Sequence, residues 1–150
     1  DLYLSGGLYV GGTGSANHLD DYEEGTFTPK WTCASASVSS AGTQHGYYRK
    51  VGTLVYITVA LRNGTFSGAS GAMRIDDLPF YAHSGHHGTS YALPMTHEFE
   101  FDTSRNQSFY ISTNRVYFLE SRSGLSWTDL NITNSSGLYM HLSFVFHTAS

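Results

Sequence analysis

Charge is scarce in this sequence. Only 13% of its 150 residues are Asp, Glu, Lys or Arg, about half the usual ~25%. Eight Lys and Arg against twelve Asp and Glu leave a formal net charge of −4. No basic run exists, so a nucleic-acid footprint is excluded and no nucleic-acid partner is expected. A single cysteine, Cys33, excludes an intrachain disulfide and fits assembly in a reducing cytoplasm. No apolar run approaches the roughly 20 residues of a membrane span, and no signal-peptide pattern opens the chain, so no membrane insertion is expected. No amphipathic stretch of about ten residues carries the helical period. Nucleotide-binding G-x-x-x-x-G-K-[ST] and the G-x-S-x-G elbow of α/β hydrolases are also missing. The first residue is Asp, not Met, which leads us to expect a piece of a longer polypeptide.

Polarity comes instead from Ser, Thr, Gly, Asn and Tyr. Sixteen Gly, eleven Tyr, nine Phe and two Trp suit strands and turns. The chain therefore reads as all-β: an antiparallel β-sandwich, jelly-roll-like. Residues 1–17 are Gly-rich, with a crude LYLSGG/LYVGG repeat, and read as a shaft remnant or linker. Residues 18–150 read as the sandwich. Within it, Phe27–Thr32 is a short strand and 34–46 is a polar segment with a GTQHG turn. Tyr47–Leu61 is the strongest element, broken at VGT. Val55, Ile57, Val59 and Leu61 are aliphatic and face a core. Leu54, Tyr56, Thr58 and Ala60 form a semi-polar face suited to another subunit. Asn63-Gly64 reads as a turn. Met73–Phe80 gives a strand ending at Pro79. Tyr91–Leu93 and Glu98–Asp102 are strand pieces. Ser108–Ser112 and Val116–Glu120 form a hairpin around Asn114, a turn falls at Ser123-Gly124, and Leu138–His147 alternates as a closing strand.

The residues that could carry chemistry are few. Asp20, Asp21, Glu23 and Glu24 are the densest acid cluster. Calcium wants several oxygen ligands, but acids consecutive on an extended chain diverge and no D-x-D-x-D-G loop is present, so the cluster reads as a solvated loop. Glycoside hydrolysis needs a pair of carboxylates. Candidates include Asp76, Asp77, Glu98, Glu100 and Glu120, and nothing selects a pair. His83, His86 and His87 lack a structural zinc spacing. The reading is therefore no enzyme, no catalytic residues, no metal and no cofactor. Aromatic rings near Gly/Ser-rich loops, beside hydrogen-bonding Asn, Ser and His, suit glycan recognition. The candidate receptor-binding residues are His83, His86, His87 and Tyr91 in one loop, Trp127 and Asn131 in a second, and Phe66 in a third.

Residues 7–31, GLYVGGTGSANHLDDYEEGTFTPKW, resemble a segment of bacteriophage tail fibre and tailspike proteins. There a Gly-rich YLGGTGSAN lead-in precedes LDDYEEGTWTP and marks the step from a shaft into a C-terminal β domain. GYYRKVGTLVYI at 46–57 resembles the G-x-Y-x-K-x-G-x-x-V strand of those domains. IDDLPF at 75–80 resembles their I-x-G-L-P-F turn, with Asp77 where Gly is usual. Residues 82–137 match nothing in that pattern. The resemblance implies the distal receptor-binding domain of a homotrimeric fibre. Its partners would be two further copies of itself and a host cell-surface polysaccharide or protein receptor. It would be made in the bacterial host cytoplasm and reside in the virion. It also implies that the acidic motif is a structural joint. The alternatives are a trimerisation or folding module without receptor binding, and a stand-alone carbohydrate-binding module.

Overall fold

The computed structural model describes residues 6–14, 17–19, 21–34, 38–40, 42–85, 95–97, 104–132 and 135–148. Among them there is no α-helix, and so none long and apolar enough to cross a membrane. The strands form two antiparallel sheets and a small ribbon.

The long sheet has six strands. Its path is β3 (Tyr22–Phe27), β6 (Thr43–Val51), β7 (Leu54–Phe66), β13 (Ser135–His147) and β9 (Met95–His97). The short strand β5 (Val38–Ser40) pairs with the far end of β7, beyond β6. The second sheet runs β10 (Asn106–Ser112), β11 (Arg115–Ser121), β8 (Met73–Asp76) and β4 (Lys30–Cys33), with β12 (Thr128–Asp129) also on β11. The ribbon pairs β1 (Leu8–Tyr9) with β2 (His18–Leu19), across the expected boundary at residues 17 and 18. Among the described residues the two antiparallel sheets make an all-β sandwich.

Alternation explains which faces meet. Val55, Ile57, Val59 and Leu61 on β7 are fully buried, as are Leu138 and Met140 on β13. They oppose Ile75, Ile111, Val116 and Phe118 of the second sheet in one core. Phe109 meets Phe144 edge-on across the gap at 5.7 Å, and Trp31 lies 5.6 Å from Phe66. Each such side chain contributes about 1.5–3 kcal/mol on burial.

Several local expectations are corrected. Asn63-Gly64 is no turn: both residues lie inside β7. Asn63 takes a positive φ of 56°, and the β7–β13 register slips nearby, so the dipeptide makes a bulge. The left-handed preference of Asn serves a bulge as well as a hairpin. Phe66, expected in a loop, closes β7 and is 1% exposed. GTQHG opens β6 as strand. Of the acid cluster, expected as a solvated loop, Glu23 and Glu24 lie in edge strand β3, Asp21 just precedes it, and Asp20 lies outside the described residues. The single strand expected over Phe27–Thr32 is split at buried Pro29, where the chain leaves one sheet for the other. The expected pieces Tyr91–Leu93 and Glu98–Asp102 lie outside the described residues. The hairpin around Asn114 stands in full register from Asn106↔Ser121 to Ser112↔Arg115. Asp77 has a φ of 64°, the left-handed region that the Gly of the resembled turn occupies without strain.

Gly64 sits beneath the Trp31 indole: a Cβ there would fall 1.9 Å from the ring. Gly64→Ala must therefore displace a fully packed tryptophan. It is expected to lower stability by about 1–3 kcal/mol, read as a lower urea midpoint with an unchanged m-value.

Candidate functional site

The three segments that carry the resemblance converge on one side chain. β3 pairs with β6 so that Glu23 faces Lys50. The Lys50 ammonium contacts Asp21 Oδ2 and lies 3.1 Å from Glu23 Oε1. It also sits 5.8 Å from the Phe80 ring centroid, and Tyr48 meets that ring edge-on at 5.1 Å. Lys50 is only 8% exposed, and a buried ammonium persists only when paired. The hydrogen bond to Asp21 holds its pKa above the ordinary lysine value, against the effect of burial, with Glu23 adding to it. The glycines of the same segments have a matching role. Gly25 lies opposite Tyr48 and Gly46 opposite Phe27, and a Cβ at either would strike the facing ring.

The alternate residues of these strands point outward. On this outer face the register makes a lattice. One row is Glu24, Arg49, Tyr56 and Val145; the next is Thr26, Tyr47, Thr58 and Ser143. Between them lies an open concavity of about 540 Å³. Tyr47 is 56% exposed and Tyr56 42%. The Tyr22 hydroxyl donates to Glu24 Oε2 at 2.7 Å, and Arg49 Nε stands 3.6 Å from the same oxygen. That hydrogen bond raises the Tyr22 pKa. The Tyr56 phenol behaves oppositely: hydrogen bonds from Ser143 and Thr58 lower its pKa. A third row, Tyr22, Val51, Leu54 and His147, is more apolar and equally exposed. The concavity thus offers the exposed Tyr47 and Tyr56 rings, hydroxyls, one carboxylate and one guanidinium. A single carboxylate, Glu24, lines the concavity, whereas glycoside hydrolysis needs two.

The residues chosen from the sequence are not gathered here. His83 is exposed; its backbone N–H donates to the His147 carbonyl, beside the apolar row. Trp127 is 72% exposed and adjoins β12, at the opposite end of β11. The β10–β11 turn lies by Ala82, so His83 and Trp127 are separated by a strand length of about 20 Å. Asn131 is exposed on the Trp127 side, bridged to Ala72. Phe66 is core and cannot reach a receptor. His86, His87 and Tyr91 lie outside the described residues. Among the described residues, no three His, Cys, Asp or Glu side chains gather as metal ligands. The alternation of Leu54, Tyr56, Thr58 and Ala60 marked the outer face. Its partners Tyr47, Arg49 and Glu24 could be joined to it only by the register of three strands.

No protein-family model matches this chain, and no curated protein does.

Lys50→Met leaves Asp21 and Glu23 facing each other without their cation. A loss on the order of 2 kcal/mol is expected, the range of hydrogen bonds to charged groups. The folded state holds the Lys50 proton more tightly than the unfolded chain. Its contribution is therefore complete below about pH 10 and is lost as pH rises through the raised folded value. Thermal melts from about pH 8 to about pH 12 should show the difference between native and variant shrinking only at the alkaline end.

Proposed function

We propose that this chain is the distal, non-enzymatic domain of a trimeric bacteriophage tail fibre or tailspike, borne on the virion, and that it binds a host-surface glycan. The observation that carries this reading is the outer face of the six-stranded sheet, where Tyr22, Tyr47 and Tyr56 stand exposed beside hydroxyl, carboxylate and guanidinium groups. Rigid aromatic rings give contact area at little conformational cost, and their faces suit the C–H faces of sugars. The resemblance of residues 7–31, 46–57 and 75–80 supports the fibre context, because those segments interlock at Lys50.

Two further observations favour binding over cleavage and assembly over isolation. Asp21 and Glu23 are committed to Lys50, Glu24 to Arg49, Asp76 to Arg115, Asp77 to Lys30 and Glu120 to Arg105. Carboxylates neutralised in this way are poor general acids. The exposed apolar row of Tyr22, Val51 and Leu54 is a surface that packing between copies would cover. Three weak sites on one fibre gain avidity without tight single contacts.

Light scattering after size exclusion, followed by incubation with bacterial surface polysaccharides, tests this function. The expected result is a mass of three 16.5 kDa chains, polysaccharide binding, and no release of reducing ends. A monomer that still binds would make this a stand-alone carbohydrate-binding module. A trimer that binds nothing would leave a folding module, and release of reducing ends would make it an enzyme.

A further inference from the structure

We propose that the concavity between Tyr47 and Tyr56 is the saccharide site, and that its ligand is a neutral hexopyranose or N-acetylhexosamine glycan rather than an acidic one. This inference rests on the glycan-binding reading above and adds a place and a ligand class to it.

The place follows from geometry. Tyr47 and Tyr56 stand on neighbouring strands, one register step apart: Tyr47 faces Thr58, and Arg49 faces Tyr56. Such diagonal neighbours on one sheet face are about 7–8 Å apart, a distance that one pyranose ring spans. The concavity between them, about 540 Å³, falls within the 300–1,000 Å³ typical of small-ligand sites. Both rings are held by β6 and β7, central to the sheet, so the site does not depend on a loop folding around the ligand. Thr58 and Ser143, hydrogen-bonded to each other at 3.3 Å, stand in the row next to Tyr56 and place two hydroxyls beside its ring. Thr26 and Thr58 supply further donors and acceptors on the concavity wall.

The ligand class follows from charge. Arg49 is the one cation lining the concavity, and Glu24 answers it at 3.6 Å. Behind the same strands, Lys50 is outnumbered by Asp21 and Glu23. Within the concavity no cation stands without a carboxylate beside it; the next guanidinium on this face, Arg62, lies two register rows beyond Thr58 and donates to His141. An Arg–Glu pair presents donors and acceptors side by side, which suits the vicinal hydroxyls of a neutral sugar. A second copy of this chain is the rival occupant of the face. The apolar row of Val51 and Leu54 suits that role; the concave, hydroxyl-lined rows beside it do not.

The test uses the intact chain on an immobilised library of neutral hexose and N-acetylhexosamine oligosaccharides and of uronic-acid and sialic-acid oligosaccharides. Native protein is compared with Tyr47→Ala, Tyr56→Ala, Tyr56→Phe and Trp127→Ala. The three side chains are all exposed, and circular dichroism checks the fold. Expected is binding to neutral glycans that changes little from about 50 mM to about 500 mM salt. Affinity should fall at least about tenfold in each tyrosine-to-alanine variant, fall less in Tyr56→Phe, and hold in Trp127→Ala. Loss in Trp127→Ala with retention in both tyrosine-to-alanine variants would overturn the sheet-face site while leaving glycan binding intact. Binding confined to acidic glycans would overturn the ligand class alone. A tyrosine variant whose solution mass drops to a monomer would show the face to be a subunit interface and overturn the site. Failure to bind any glycan in the library would overturn this inference and the glycan reading together.

Discussion

One ammonium group ties this fold together. Lys50 is nearly buried, and it stays charged because Asp21 and Glu23 reach it from the edge strand while the Phe80 ring covers it. Three segments distant in sequence must arrive before that charge is satisfied. Burying that cation unpaired would cost several kcal/mol, so the seat of Lys50 is complete only once β3 has brought its carboxylates beside β6. The glycine–aromatic pairs on the same two strands fix the register that the ion pair needs: sliding β3 by one residue would set Phe27 and Tyr48 against side chains instead of bare backbone.

The same register governs the outer surface. Because side chains alternate, placing Glu23 inward on Lys50 places Tyr22 and Glu24 outward. The acidic motif therefore has two faces with separate duties. Its inward half pairs with Lys50 and fixes β3 on β6. Its outward half borders the tyrosine-lined concavity, and the proposed glycan site is thus built on the most firmly located strands of the molecule.

Much of this was legible in the chain. The branched residues of Val55–Leu61 and the alternation of Leu138–Phe146 announce their buried faces directly, because a period of two along an aliphatic run marks a strand with one side in a core. The hairpin around Asn114 was equally plain. What misled was chemistry shared by two structures. Asn63-Gly64 favours a left-handed backbone wherever it occurs, and only the neighbouring strand β13 makes it a bulge. Phe66 follows turn-like residues, so it looked loop-borne, yet β7 runs through that bulge and carries it into the core against Trp31. Asp21 and Glu23 are part-exposed, and their pairing is invisible locally because the cation lies 29 and 27 positions away. The tyrosine concavity was half visible: one strand's semi-polar face could be read, but its partners required a three-strand register that no local pattern encodes.

The place of β13 in the long sheet has a consequence for how the molecule is made. This strand lies against β7 near the middle of the sheet, with His147 opposite Leu54. During synthesis, β3, β6 and β7 emerge early and can pair as a meander, but the open side of β7 then waits until most of the remaining chain has been made. At roughly 5–20 residues per second that is an interval of several seconds. Throughout it, β7 has an unpaired edge on the side that β13 will take, although β4, β8, β10 and β11 of the covering sheet are made before β13. A nascent chain in that state is exposed to pairing with its neighbours on the same message. The long sheet is thus closed by a strand made well after the one it pairs with, and the edge of β7 stays open for pairing with a neighbour until then.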